Sequence, residues 1–258
     1  MSKKIMVVDT ETIGVAKKFC YNIGYVVAEI SENGYNVIDK REFLVKQVWR
    51  NTMLFSTAYY ADQKPIYTNM LRNKAQYNNI SVKRYDEIIA EMQSDIEKYN
   101  IEYVYAYNSK FDEEVFNFNC DWFKVENPLA ELPFYDIRAY FMRTIEHNQF
   151  FKNYCEEHKL FTENGNYSTT AETAYRFISA EDNFIEAHTA LADSEIELLI
   201  LEWCDFCNVV NIFSELDAPM MLKREVEKVF YIKCKDMTYS IKGMSATWYK
   251  KKNTLTIR

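Results

Sequence analysis

Read for its alternation of apolar and polar positions, the chain divides into a strand-rich first third and a helix-rich remainder. Ile5-Met6-Val7-Val8 is apolar on both parities, the pattern of a central strand covered on both faces. A second run spans residues 23–30, meets the turn composition Ser31-Glu32-Asn33-Gly34, and leads into a third run over 35–45, which predicts a hairpin. Between 82 and 99, apolar residues at 85, 88, 89, 92, 96 and 99 recur at helical spacing. Residues 104–107 predict a short strand, followed by a helix over 112–123 anchored by Phe111, Val115 and Phe118. Phe134-Tyr135 predicts another short strand, and helices are expected over 137–145, 148–158, 170–178 and, apolar-striped, from Thr189 to about Val210. The sum is an α/β domain, a mixed sheet flanked by helices, expected to end near residue 215.

Composition narrows the class. With 258 residues and 48% hydrophobic side chains the chain can bury a large core, which excludes collagenous, disordered and disulfide-stapled classes. Its five glycines are too dispersed for a dinucleotide fingerprint or a phosphate-binding loop. The six cysteines are scattered, as in a reducing compartment, and the lone Cys204-x-x-Cys207 lies in an apolar helical run and reads as a buried face. No apolar run of spanning length occurs, and the apolar stretch at the start meets carboxylates by position nine; a cytoplasmic protein with no leader and no membrane span is expected.

The formal net charge of −7 argues against a nucleic-acid partner only until it is divided along the chain. Residues 220–258 hold ten Lys/Arg against three Asp/Glu, a net of +7, which leaves −14 on the rest. The expected organisation is a domain over 1–215 and a basic extension over 216–258, rich in strand formers, whose Tyr239, Trp248 and Tyr249 offer faces on which bases can stack.

Three segments carry candidate chemistry. Asp9 and Glu11 close the first strand, and the period of two puts both carboxylates on one face and Thr10 on the other. Like charges so placed repel, unless a divalent cation lies between them. Asp112 falls at the start of the helix after the strand at 104–107, where exposed N–H groups favour an anion. His188 stands five residues before Asp193, on the loop ahead of the long helix, with Thr189 as its N-cap. All-carboxylate sets suit the hard cations Mg²⁺ or Mn²⁺, and two such ions clamp the attacking and leaving oxygens of a phosphodiester. The histidine has the pKa range to take a proton from water.

The three segments, VVDTET, NSKFD and HTALAD, resemble the three motifs of the DEDD superfamily of 3′–5′ exonucleases, which share a ribonuclease-H-like fold. Thr189 stands where the tyrosine subtype has its tyrosine, so the resemblance is to the histidine subtype, which includes the proofreading subunits of bacterial replicative polymerases and several RNA-trimming enzymes. The resemblance covers roughly residues 4–212. It implies Asp9, Glu11, Asp112 and Asp193 as ligands of two Mg²⁺ or Mn²⁺ ions, His188 as general base, and Thr12, Asn108 and Phe111 against the 3′-terminal nucleotide. Asp136, after the second motif, is expected to be structural. The implied function is 3′–5′ hydrolysis of single-stranded DNA ends to nucleoside 5′-monophosphates, with a DNA polymerase or another replication or repair protein as a partner. RNA 3′-end trimming is the near alternative; an aspartate-based phosphatase and a silent nucleic-acid-binding or polymerase-associated module stand in other classes. The Gly-rich turn that usually follows the first motif is reduced here to Gly14.

Overall fold

A computed structural model describes residues 3–14, 18–31, 34–73, 76, 77, 79–215, 237–241, 244–249 and 254–257, with side chains described up to Asn208. The strands are β1 (Lys3–Thr12), β2 (Cys20–Ser31), β3 (Gly34–Val45), β4 (Ile80–Lys83), β5 (Tyr103–Ala106) and β6 (Phe134–Asp136). They form one mixed sheet in the order β4-β3-β2-β1-β5-β6. β1, β2 and β3 are an antiparallel meander, while β5 runs parallel to β1, β6 to β5 and β4 to β3. The helices are α1 (Lys46–Trp49), α2 (Thr52–Phe55), α3 (Lys64–Arg72), α4 (Tyr85–Tyr99), α5 (Ser109–Phe123), α6 (Ile137–Ile145), α7 (Gln149–His158), α8 (Ala171–Ser179) and α9 (Ala190–Glu215). No helix among the described residues is long and apolar enough to cross a membrane.

The parity of β1 sorts the interior into two cores. Met6 and Val8 join a cluster with Ile88 and Met92 of α4 and Val115 and Phe116 of α5. Ile5 and Val7 face the other way, against Phe141 of α6, Phe151 of α7, Ala174 of α8 and Trp203 of α9. All four β1 residues are fully buried, as a strand apolar on both parities requires. The fold is therefore α/β, a six-stranded mixed sheet with helices on both faces.

Two expectations need correction. The helix expected over 82–99 starts at Tyr85, because Val82 and Lys83 complete β4, whose pairing to β3 the helical spacing could not reveal. Phe118 does not anchor α5; it is 36% exposed and stacks edge-on with Phe19, while its neighbour Phe116 enters the core. The short helices of the segment 46–72 had no expectation attached to them. Beyond α9, Met237–Ile241, Met244–Tyr249 and Thr254–Ile257 pair as a small antiparallel sheet, β7-β8-β9. Tyr239 lies on β7 and Trp248 and Tyr249 on β8, but their side chains are outside the described residues, as is all of the extension before β7.

Candidate active site

The C-terminal end of β1 is where the two cores meet. Asp9 and Glu11 project to the α9 face, and the strand pairing shifts between Glu11 and Thr12, a bulge that re-aims the strand end. Thr10 faces α5, where its Oγ1 donates to Asp112 Oδ1 at 2.7 Å. Asp112 sits in the first turn of α5 and is 2% exposed. Asp193 arrives from the opposite side, in the first turn of α9, buried.

What brings α9 there is a close backbone approach. Gly24 is the β2 partner of Asp9, and a Cβ on it would fall 2.1 Å from the Leu191 nitrogen. Asn22, the partner of Glu11, then fastens the helix start: its Oδ1 accepts from the Ala190 N–H at 2.8 Å and from the Tyr67 hydroxyl at 2.9 Å, while its Nδ2 donates to the Phe43 carbonyl. The Tyr67 hydroxyl also lies 3.2 Å from the His188 carbonyl oxygen. Thr189 occupies the N-cap position, its carbonyl accepting from the Asp193 N–H at 3.0 Å. His188 itself has φ +51°, a left-handed conformation uncommon for a side-chain-bearing residue, which swings the imidazole over the acids. There it stacks on Tyr60, with ring centroids 4.1 Å apart, and its Nδ1 lies 3.9 Å from Glu186 Oε2.

A cavity of about 420 Å³ opens over this cluster, lined by Asp9, Glu11, Thr12, Phe111, His188 and Asp193, with Tyr59, Tyr60 and Glu186 at its wall. Ligand atoms of Glu11, His188 and Asp193 lie within 4.8 Å of one another. Asn108 caps α5 in a left-handed conformation, and its N–H donates to Asp136 Oδ1, which also accepts from the Arg138 and Ala139 N–H groups. Asp136 is thus the N-cap of α6, the structural part expected of it. The side chain of Asn108 is not among the lining groups.

Burial and mutual repulsion push every acid of the site upward. Glu11 rises to about 8, through burial and then Glu186 and Asp112. Asp193 rises to about 9, through burial and then Glu186 and Glu11. Burial lifts Asp112 to about 7 against the opposing bond from Thr10. Asp9 is raised well above the carboxylate range by burial, Asp112 and Glu197. Burial lowers His188, which favours the neutral imidazole. Asp9 Oδ2 and Asp193 Oδ1 are buried with no hydrogen-bond partner. Orphaned carboxylate oxygens are the donors a hard divalent cation takes, and Glu11, His188 and Asp193 are the residues whose ligand atoms lie close enough together to share one.

The structure thus brings Asp9, Glu11, His188 and Asp193 onto one cavity with Thr12 and Phe111, while Asp112 does not line it and is bonded to Thr10, which does. Thr10, Asn22, Tyr60, Glu186 and Glu197 were not singled out from the sequence. Glu197 had a signal, the i+4 spacing from Asp193; Tyr60 had none, since nothing local ties it to His188.

No family model and no curated protein sequence matches the chain. Solved structures do match in fold. Exonuclease I from Methylocaldum szegediense, described as moderately thermophilic, superposes with a TM-score of 0.50 at 15% identity, over 99% of this chain and 50% of that one. Escherichia coli Exonuclease I in complex with a dT13 oligonucleotide gives 0.52 at 15% identity, over 83% of this chain and 43% of that one. The chain spans about half the length of these structures, and what it shares with them is the ribonuclease-H-like fold.

Proposed function

We propose that this chain is a divalent-cation-dependent 3′–5′ exonuclease acting on single-stranded DNA. The observation that carries the reading is the convergence of Asp9, Glu11, Asp193 and His188 on one cavity at the end of β1, with Asp112 bonded to Thr10 beside them and buried oxygens of Asp9 and Asp193 left without partners. Bound divalent cations would neutralise the scissile phosphate and raise the acidity of the attacking water. The chain's own part is to hold Asp9 and Glu11 from β1, Asp112 from α5 and Asp193 from α9 as the ligand set. His188, neutral near pH 7, takes the proton of the water that attacks phosphorus as the bond to the 3′ oxygen breaks. Its ring nitrogen turned away from Glu186 is the acceptor. Thr12 and Phe111 line the place of the terminal nucleotide.

DNA is favoured over RNA because the neighbouring Escherichia coli enzyme is solved with a dT13 strand. The +7 segment over 220–258 supplies the attraction to phosphates that the −14 remainder lacks. Labelled single-stranded DNA and RNA, each with Mg²⁺, Mn²⁺ or chelator, test the assignment. Mononucleotide release from DNA that needs the cation and vanishes in Asp9→Ala is the expected result. Equal turnover in chelator, or in Asp9→Ala, would sink it.

A further inference from the structure

Glu197 follows Asp193 by one turn of α9, so the two side chains leave the same face of the helix. It is 2% exposed. Its Oε2 is buried with no hydrogen-bond partner. The other acid beside it, Glu195, turns outward to an ion pair with Lys40. No such cation serves Glu197: among the described residues no Lys, Arg or His pairs with it, and the charges acting on it most are Asp112 and Asp193. Its own charge acts in turn on Asp9. A carboxylate buried without a counter-ion is strongly destabilising. A packing role would be served better by an apolar side chain of the same size.

Three buried oxygens lack partners on β1 and α9, Asp9 Oδ2, Asp193 Oδ1 and Glu197 Oε2, and the three carboxylates repel one another across that seam. We infer that Glu197 is a fifth carboxylate of the cation centre, holding a divalent cation with Asp9 and Asp193 from the α9 side. The inference rests on the cation-dependent reading of the site. It separates Glu197 from a buried neutral acid, because glutamine reproduces the shape and hydrogen bonding of the neutral form and not the charge.

Mn²⁺ affinity, measured on the full chain by titration calorimetry and by the free-ion electron paramagnetic resonance signal, tests it. Glu197→Gln should weaken Mn²⁺ binding by about tenfold or more, the scale seen when groups supporting a metal are removed. Its cation-free melting temperature should stay at or above that of the unaltered chain. Glu197→Asp, which keeps the charge, should bind with intermediate affinity, and Glu195→Gln on the same helix should bind normally. Affinity in Glu197→Gln within twofold of the unaltered chain overturns the role of Glu197 alone. An unaltered chain that binds no Mn²⁺ overturns the cation reading of the whole site, and this inference with it.

Discussion

Gly24 and Leu191 touch backbone to backbone, since the space a Cβ would need at Gly24 is filled by the nitrogen and Cα of Leu191. That contact seats the start of α9 on the sheet directly across from Asp9. Gly24→Ala cannot be absorbed by a side-chain rotation, because the obstructing atoms are main chain. It should cost about 1–3 kcal/mol, the usual range for overpacking. The lifted helix start should also carry Asp193 away from Asp9 and lower turnover more than it lowers stability at the assay temperature. Denaturant melts and single-strand DNA turnover, measured together, check this; full activity in the variant would show that α9 does not depend on the close approach.

The bond from the Thr10 hydroxyl to Asp112 links β1 to the acid of α5. Thr10→Val keeps the shape and removes the donor. A hydrogen bond to a charged group contributes about 1.5–3 kcal/mol, so the variant should lose stability on that scale and about tenfold in kcat. The cation dependence should move to higher concentration, because Asp112 is no longer aimed. An unchanged cation titration would mean that Asp112 is held by α5 alone.

Stability should fall as pH rises when cations are absent. Glu11, Asp112 and Asp193 have folded values near 8, 7 and 9, all above the ordinary carboxylate value near 4. The folded state therefore binds more protons than the unfolded chain between those limits, and the unfolding free energy decreases with pH there. Their contribution is fully present below about pH 4 and is lost through pH 7–9. Chemical denaturation at pH 5, 7 and 9 in chelator should show the decline. Mg²⁺ should restore stability by an increment that grows with pH, as the cation replaces the protons. A flat profile in chelator would contradict the crowding of these acids.

Tyr67 reaches the loop that carries His188 through one hydroxyl, shared between Asn22 and the His188 carbonyl. Tyr67→Phe should cost about 1 kcal/mol, the ordinary net value of such a bond. Its larger effect should fall on kcat with KM little changed, because the loop that carries His188 loses a tether while the cavity wall stays. The acidic limb of the pH–rate profile should shift as the His188 surroundings relax. A change confined to KM would assign Tyr67 to substrate binding instead.

Much of this site was readable from the residues because its chemistry is local in three places. Asp9 and Glu11 declare themselves through strand parity, Asp112 through a helix start and Asp193 through the loop-to-helix step at His188. The supporting parts are long-range and leave no local trace. Asn22 reads as one polar residue at the start of a strand, and its amide finds its partners in three other elements, at Phe43, Tyr67 and Ala190, the last 168 residues later. β4 was hidden for a similar reason: four residues whose pairing to β3 depends on the turn of α3 against the sheet edge could not be separated from the helix that follows. Phe116 and Phe118 both fall within the broad apolar side of α5, so spacing alone could not choose the inward one.

The two cores on either side of β1 share no buried side chain, yet the acids are drawn from both. Catalysis in such a site works as a strain gauge for the whole sheet. A disturbance on the α4–α5 side moves Asp112, one on the α6–α9 side moves Asp193, and either spoils a geometry that tolerates less than an ångström of error. On gentle heating, or in low denaturant, activity should therefore fade while both cores are still folded. A cation spanning the acids would then act as a clasp between helices on opposite faces of the sheet.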